Sequence, residues 1–345
     1  MTRKAYELEP LSSNEATRWD ELIAPYANRT LFHRRVWLDY LEASQGISIQ
    51  SWRISEHGRT LGYFCGGLLT KGPFKILGSP LRGWGTNSLG PAGEPSLESS
   101  AFLAGLDDLA RREHLSMVEL ESLAVEPVDL AAAHYEPTTT ATFVVEITPG
   151  NKDLMWSRVD STRRTGIRKA ERGGLVVEEA HDAAIADQFY DQYLEVMRRK
   201  NLSPPYPRQR PQLLFHFLNG TGLLLPARVR DPRGDVVATG LFPHDDTTIY
   251  FWGGASSSEG YKLFANDYLH WTVMCLAAER GLRRYDMCGN GLFKKKFGGK
   301  LIELRRWSKY YSQAARWGRK AYQFMFNQRL KLQAPLERTL AGWRG

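Results

Sequence analysis

Three groups of polar residues have types and spacings suited to catalysis or to binding an anionic group. The first lies in residues 158–172, where Arg164, Arg168 and Arg172 recur every four residues. On a helix this spacing places the three side chains on one face, where guanidinium groups can hold phosphates by charge-assisted hydrogen bonds. A solvated helix face has the same pattern, and from spacing alone it is the favoured interpretation.

The second group is residues 286–299, DMCGNGLFKKKFGG, in which four glycines flank a run of three lysines that begins at Lys294. Glycine lets the backbone approach a ligand closely, and lysine supplies positive charge. A surface turn protected by lysines beside an edge strand is an equally good interpretation. From the residues alone, both interpretations stay open.

The third group is the pair Glu119 and Glu121, on one face of a predicted strand over residues 116–121. A carboxylate at this strand end could accept the proton of an attacking amine. An exposed strand-end glutamate without a catalytic role is the more favoured interpretation from sequence alone.

Other catalytic devices are missing from the sequence. It has no HExxH, GxSxG or GxxxxGK[ST] motif, and no GxGxxG between a strand and a helix. The trio His244-Asp245-Asp246 is interpreted as a polar hairpin turn rather than a metal site. The three cysteines are far apart and lack CxxC spacing, which argues against a disulfide framework and a zinc site.

We expect a cytoplasmic protein, since the sequence shows no secretory signal and no apolar stretch of the roughly 18–20 residues that span a bilayer. The net charge of +8 is concentrated at one end. Residues 301–345 hold ten basic and two acidic residues, which accounts for all of it. A basic tail of this kind favours contact with RNA or an anionic membrane.

Strand and helix patterns alternate along the chain, and the second half repeats the order of the first. Strands are predicted over residues 60–69, 116–121, 142–147, 223–229, 236–242, 248–253 and 284–288, with helices over 100–114 and 266–280 and a loop over 71–95. The pattern predicts an α/β (α+β) fold of two tandem halves, residues 1–148 and 149–310, followed by a basic aromatic helix or tail, residues 311–345. A cleft between the halves is the expected place for ligands.

The sequence resembles the FemAB-like branch of the GNAT superfamily, including BioF2-like acetyltransferase domains, over about residues 20–310. The resemblance rests on four stretches: FHRRVWL (32–38), RTGIRKAER (164–172) followed by GLVV, LFANDYLHWTVMCLAAERGLRRYD (263–286) and FKKKFGG (293–299). It implies two GNAT-like halves and transfer of an acyl or aminoacyl group to an amine.

The resemblance also implies roles for individual residues. Lys294 corresponds to a donor-side electrostatic residue, and Glu121 lies where relatives often have an aspartate near the acceptor amine. Asp39 stands where some peptidoglycan-precursor transferases have a phosphate-binding lysine. The candidate substrate-binding residues are Arg164, Arg168, Arg199, Tyr206, Tyr250, Trp252, Tyr261, Asn266, Asp286 and Phe293.

The predicted activity is an N-acyltransferase or aminoacyltransferase with no bound cofactor, acting on a cell-envelope precursor or a natural-product amine. Aminoacyl-tRNA is slightly favoured as donor, because SSSEGYKL (256–263) stands where the family's CoA-pyrophosphate loop, Q/R-x-x-G-x-G/A, is expected. An acyl-CoA-dependent N-acetyltransferase acting on an amino sugar or a polysaccharide- or lipid-linked precursor is the alternative. A non-catalytic RNA- or membrane-binding protein is the rival from another class. Residues 311–345 are the predicted contact with tRNA or with the inner face of an anionic membrane.

Overall fold

The computed structural model describes residues 4–325 and residue 328. The strands are β1 (Glu7–Pro10), β2 (Ser48–Glu56), β3 (Arg59–Lys71), β4 (Phe74–Ser79), β5 (Gly90–Gly93), β6 (Met117–Leu120), β7 (Glu136–Glu146), β8 (Val176–Glu179), β9 (Leu224–Arg230), β10 (Val236–Pro243), β11 (Thr248–Tyr250), β12 (Gly253–Ser256), β13 (Arg284–Asp286) and β14 (Lys300–Tyr310).

The helices are α1 (Ser13–Thr17), α2 (Trp19–Ile23), α3 (Arg35–Gln45), α4 (Ser99–Arg112), α5 (Pro127–Ala132), α6 (Lys152–Arg158), α7 (Ser161–Arg172), α8 (Ala184–Arg199), α9 (Gln209–Leu218), α10 (Ser258–Lys262), α11 (Ala265–Glu279) and α12 (Leu292–Lys295), with a 3-10 turn at Leu31–His33. Residues 313–325 are also helical.

The described residues form two compact units. The first comprises the residues up to Thr140 together with Glu303–Ala321, and the second comprises Ala141–Ile302 with the described residues from Tyr322 on. This division differs from the predicted one because residues 303–310 join the first unit. The predicted boundaries at 148/149 and 310/311, and the cleft between the halves, stay predictions.

In the first unit, β1 to β4 pair as antiparallel neighbours, β4 pairs in parallel with β6, and residues 307–310 of β14 pair with β6. Helix α4 covers this sheet, because Phe102, Leu106 and Leu109 fall on one face of the helix and are fully buried. They form one core with Phe64 and Leu77 of the sheet.

The predicted loop over residues 71–95 is wrong in part, since it contains β4 and β5. Strand β5 pairs with β3 and has the sequence Gly-Pro-Ala-Gly, which carries no strand signal of its own. The backbones of β3 and β5 approach each other closely, and only glycine leaves room for this. A Cβ atom on Gly62 of β3 would lie 2.6 Å from the Ala92 carbonyl oxygen and from the Gly93 Cα.

The second unit contains two sheets. One has the order β12-β10-β9-β8, with antiparallel neighbours. In the other, β13 pairs antiparallel with the 144–146 part of β7 and parallel with β11. Helix α11 is buried at Leu269, Val273 and Met274, and these side chains share a core with Ile167 of α7 and Phe242 of β10.

The predicted single strand over residues 248–253 is two strands with different partners. Strand β11 pairs with β13, and β12 pairs with β10, so the chain changes sheets at Phe251 and Trp252. The Phe251 N–H donates to the Asp286 carbonyl at 2.8 Å, which is the last backbone contact on the β13 side before the change. In the first unit no such change of sheet occurs between β4 and β5, since both pair with β3 within one sheet.

The predicted basic tail over residues 311–345 falls only partly within the structure. Residues 313–325 and residue 328 are helical, and residues 326–327 and 329–345 lie outside the described residues. Within the described part of the chain, no helix has both the length and the apolar character needed to cross a bilayer.

Candidate active site

The two sheets of the second unit part at the change of strand partner, Phe251 and Trp252, beside the carboxyl end of β13, and this place is called the opening below. Helix α12 follows β13 and returns Lys294 to this strand end, where its side chain is 9% exposed. Lys294 Nζ donates to the Met287 carbonyl and, at 3.1 Å, to the Cys288 carbonyl. Gly289 has φ of +138°, and a Cβ atom there would lie 3.2 Å from Lys294 Nζ, so glycine suits this position on both counts.

Two aromatic rings complete the surroundings of the Lys294 ammonium. Nζ lies 5.2 Å from the ring centroid of Phe251 and 5.7 Å from that of Phe293, both within cation–π range. Burial lowers the pKa of Lys294, and the nearby Cys288 and Asp286 oppose that shift. The site therefore places a desolvated positive charge where it can stabilise an oxyanion formed in the opening.

Asp286, the last residue of β13, organises the strand end. Its Oδ1 accepts hydrogen bonds from Thr142 Oγ1 at 2.6 Å and from the Cys288 N–H at 2.8 Å. Thr142 Oγ1 in turn accepts from the Gly289 N–H at 3.0 Å. These bonds fix the backbone whose carbonyls hold Lys294, so Asp286 acts here on the site's geometry.

The structure adds His270 of α11, which the sequence analysis did not identify. This side chain is 2% exposed, its Nδ1 lies 2.7 Å from the Tyr285 hydroxyl, and its ring centroid lies 4.6 Å from that of Phe251. Burial, with smaller effects of Lys294 and Arg163, lowers the pKa of His270 to about 3, so it is neutral at pH 7. The His270 ring packs edge to face against the ring of Phe251. The helical pattern of residues 266–280 predicted a helix but gave no signal for this contact.

Tyr250, a predicted substrate-binding residue, is buried and donates its hydroxyl to Asp245 Oδ2 at 3.0 Å. Burial raises its pKa well above the ordinary value, which keeps the phenol protonated. The same Asp245 accepts hydrogen bonds from the Thr247 and Thr248 N–H groups, as the predicted polar turn requires. Among the described residues no cluster of three or more potential metal ligands occurs.

Ser256, the last residue of β12, is contacted by Arg199 and Asn266, and Arg199 in turn contacts Tyr261. Arg199 donates to the Ser256 carbonyl at 3.0 Å, and Asn266 Nδ2 donates to Ser256 Oγ at 3.0 Å. The Arg199 guanidinium lies 5.7 Å from the ring centroid of Tyr261, which is 72% exposed. The structure therefore brings these three predicted residues together at the beginning of α10.

Tyr206 and Trp252 belong to an aromatic group beside the opening. Their ring centroids are 5.8 Å apart, and Tyr193 stacks on Tyr206 at 5.1 Å. Arg210 lies over both, 5.2 Å from the Tyr206 centroid and 6.0 Å from that of Trp252. Because Trp252 lies at the change of strand partner, this group reaches the site directly.

The predicted cationic stripe on α7 is exposed to a large extent. Arg168 is exposed and lies 5.3 Å from the Trp156 ring centroid, and Arg164 is half-buried. Arg163, one residue earlier, is the cation on this helix that turns inward. It pairs with Asp267 of α11 at 2.5 Å and lies 5.9 Å from the Phe297 ring centroid. Neither Arg164 nor Arg168 takes part in the contacts described above for Lys294.

Glu121 lies in the first unit and is held by an ion pair. Its Oε2 accepts from Arg306 Nε at 2.9 Å and Nη2 at 2.6 Å, and its Oε1 accepts from the Ser88 N–H at 3.2 Å. Glu119 accepts from Arg306 at 3.1 Å and from Arg319 at 2.8 Å. Both glutamates are almost fully buried, so the exposed strand end favoured from sequence is wrong.

Both carboxylate oxygens of Glu121 are already engaged by donors of the protein, Arg306 and the Ser88 N–H. The geometry therefore does not support Glu121 as a general base, and the role stays a prediction. Glu121 also lines a cavity of 270 Å³ in the first unit, together with Ser88, Ser122, Leu123 and Trp307.

Part of the chain matches a known protein family. The family described as an acetyltransferase (GNAT) domain matches residues 157–296, which include α7, the change of strand partner and Lys294. This part of the chain is similar to a GNAT acetyltransferase domain. The predicted enzyme class, an acyltransferase, is confirmed by this match. No curated protein sequence matches the chain.

Solved structures extend the similarity from the GNAT domain to nearly the whole chain. FemX matches with a TM-score of 0.71 at 14% identity, covering 93% of this chain and 100% of FemX. The C-terminal domain of a putative lysylphosphatidylglycerol synthetase from Agrobacterium fabrum matches with a TM-score of 0.57 at 12% identity, covering 90% of this chain and 96% of that domain. A tandem GNAT protein from the clavulanic acid biosynthesis pathway matches with a TM-score of 0.53 at 12% identity, covering 89% of this chain and 99% of that protein's chain.

At these identities the structures show the fold. They confirm the predicted mixed α/β fold of two tandem GNAT-like halves. The FemAB-like branch stays a prediction. The roles of the individual site residues stay predictions.

Replacing Glu121 with glutamine should destabilise the first unit, because it leaves the Arg306 charge buried with one carboxylate fewer. We expect the free energy of unfolding to fall by about 3 kcal/mol, measured by urea denaturation. The matched control is Glu303→Gln, which breaks the exposed pair with Arg305 on the same strand and should cost less than about 1 kcal/mol. A Glu121→Gln variant of unchanged stability but with sharply reduced turnover would instead support the general-base role.

Replacing Lys294 with methionine should reduce turnover by about 10²–10³-fold, the usual loss when a donor to the oxyanion is removed. Lys295, its exposed neighbour, provides the control, and Lys295→Met should retain activity. Burial lowers the pKa of Lys294 below the ordinary lysine value of 10.5, so its charge is lost at a lower pH than that of an exposed lysine as the pH rises. Initial rates should therefore fall in alkaline solution with a midpoint below that value, and a rate that stays level through this range would contradict the role.

Proposed function

We propose that this chain transfers an aminoacyl group from aminoacyl-tRNA to an amine acceptor. The donor preference rests on one observation: the backbone N–H groups of Ser258 and Gly260, at the beginning of α10, already have hydrogen-bond partners within the protein. Glu195 Oε1 accepts from the Ser258 N–H at 2.8 Å and from the Ser258 hydroxyl. The Gly260 N–H donates to Ser257 Oγ at 3.1 Å. Free N–H groups at a helix N-terminus bind phosphate, and here a carboxylate and a hydroxyl already use them.

The charge of Glu195 strengthens this argument. Its hydrogen bond from Ser258 lowers the pKa of the carboxyl, so Glu195 is ionised at neutral pH. Glu259 adds a second acidic side chain in the first turn of α10. The Glu195 carboxylate at the place where the family's pyrophosphate loop is expected opposes the binding of CoA phosphates at these N–H groups, and SSSEGYKL lacks the glycine pattern of that loop. The carboxylate of Glu259 is paired with Lys262.

Two of the structural neighbours support an aminoacyl donor. Lysylphosphatidylglycerol synthetase is named for an aminoacylated product, and its C-terminal domain shares this fold. The structure of L-PGS from Bacillus licheniformis also matches, with a TM-score of 0.55 at 15% identity over 93% of this chain and 98% of that one.

The reaction follows from the position of the ammonium. The neutral acceptor amine attacks the ester carbonyl carbon, a C–N bond forms, and the carbonyl oxygen becomes an oxyanion that Lys294 stabilises. When the intermediate collapses, the C–O bond to the ribose breaks and the 3′-oxygen leaves with a proton. The amine loses its proton to a substrate group or to solvent. Much of the rate then comes from holding the two substrates in register.

An acyl-CoA donor is the second candidate function. The match to an acetyltransferase (GNAT) domain favours it. In this case the acceptor is an amino sugar or a polysaccharide- or lipid-linked amine. A cell-envelope precursor or a natural-product intermediate is the proposed acceptor for either donor, and cytoplasmic action with tRNA or an anionic membrane as partner belongs to the same proposal.

The test is a donor assay on the purified protein with charged tRNA pools, acyl-CoAs and an extract of amine acceptors, read by mass spectrometry. We expect acceptor-dependent deacylation of an aminoacyl-tRNA and its loss in Lys294→Met. Transfer from acyl-CoA would establish the second candidate. Binding of tRNA or membranes without any transfer, equal in wild type and Lys294→Met, would favour the non-catalytic class.

Replacing Glu195 with alanine should raise the affinity for CoA, because it removes a negative charge and releases the Ser258 N–H. We expect an increase of roughly fivefold, about 1 kcal/mol for one charge near the surface, by isothermal titration. The control is Glu279→Ala. Glu279 is the last residue of α11, so this variant should leave the affinity for CoA unchanged. Tight CoA binding by the wild type that Glu195→Ala does not improve would refute the exclusion.

A further inference from the structure

The helical segment of residues 313–325 has one face that is anchored to the first unit. Ala315 is 5% exposed, and a Cβ atom on Gly318 would lie 3.0 Å from the Phe74 ring. Arg319 pairs with Glu119 at 2.8 Å, with side-chain exposures of 15% and 2%. Arg316 pairs with Glu136. These contacts determine which face of the helix is left outward.

Large apolar side chains stand on the outward side of this segment. Trp317 is 66% exposed, Phe324 65% and Met325 61%. Trp317 and Phe324 are seven residues apart, two turns of a helix, so they share one face. Lys320 lies on the same face between them, and its Nζ is 5.3 Å from the Trp317 ring centroid.

The charges of this segment divide into paired and outward groups. The two arginines, Arg316 and Arg319, form ion pairs with glutamates of the first unit. Lys320 is the cation that accompanies the exposed aromatic rings. In the sequence, the residues after 328 add four basic residues and one acidic residue, Arg329, Lys331, Arg338 and Arg344 against Glu337.

We propose that the Trp317–Lys320–Phe324 face docks on the surface of an anionic lipid bilayer. Aromatic and aliphatic side chains beside lysine suit the boundary between headgroups and acyl chains, and the basic excess matches anionic lipid. A surface for RNA phosphates would present its guanidinium groups outward, whereas both arginines of this segment turn to the protein. Docking goes beyond the proposed transfer reaction, and it allows the enzyme to meet an acceptor that is held in a membrane.

The experiment is co-sedimentation of the full-length protein with vesicles of phosphatidylglycerol and phosphatidylcholine. The double variant Trp317→Ala/Phe324→Ala removes the aromatic face and leaves the anchoring arginines in place. We expect its partition onto anionic vesicles to fall at least about tenfold, because each large apolar side chain contributes more than about 1 kcal/mol when it leaves water. Lys320→Gln should lower partition about fivefold, and only on anionic vesicles.

The matched control is Leu123→Ala/Val128→Ala. These residues of the first unit are 74% and 72% exposed, so the control removes similarly exposed apolar groups elsewhere. It should bind vesicles like the wild type. Unchanged partition of Trp317→Ala/Phe324→Ala, or a wild type that does not sediment with anionic vesicles, would overturn the proposal. Loss of tRNA binding in that variant without any vesicle binding would assign the face to RNA.

Turnover on a soluble amine acceptor separates this proposal from the proposed function. The docking face contains no residue of the candidate active site, so Trp317→Ala/Phe324→Ala should keep wild-type rates on a soluble acceptor. Wild-type vesicle binding without turnover would leave docking intact while the transfer reaction failed. Turnover without vesicle binding would do the opposite.

Discussion

The structure depends most on the change of strand partner at Phe251 and Trp252. Because β11 pairs with β13 while β12 pairs with β10, the two sheets of the second unit separate at the carboxyl end of β13. The Phe251 N–H binds the Asp286 carbonyl at this end, and the Lys294 ammonium binds the next two carbonyls, those of Met287 and Cys288. The charge of Lys294 is therefore held directly beside the place where the two sheets part.

The first unit uses the corresponding strand end differently. Strand β6 ends at Leu120, and the glutamates on either side of that residue are closed by Arg306, which comes from β14. Where the second unit holds a lysine on backbone carbonyls, the first unit holds a guanidinium on carboxylates. Removing one partner of a buried ion pair is strongly destabilising, so the pairing of Arg306 with these glutamates holds the strand end in place. The proposed reaction is accordingly assigned to Lys294 in the second unit.

Periodicity allowed most of the fold to be predicted, including α4, α11, β6, β9 and β10, because these elements have strong apolar patterns. Strand β5 was missed because Gly-Pro-Ala-Gly is a strand only where β3 approaches closely. The position of Lys294 was indicated by its glycines and phenylalanines. The partners of Glu121 were not, since Arg306 lies 185 residues away and only the folded chain brings it near. His270 was missed for the same reason, because its contact with Tyr285 is tertiary.

The central claim is that Lys294 faces the acyl group of the donor. Its most direct test is a crystal structure of the protein with a stable amide analogue of the aminoacylated 3′-adenosine of tRNA. The account predicts that the analogue's carbonyl oxygen lies within hydrogen-bonding distance of Lys294 Nζ, at the opening beside Phe251 and Trp252. An analogue bound with its carbonyl away from Lys294, and with that lysine still fully engaged by Met287 and Cys288, would contradict it.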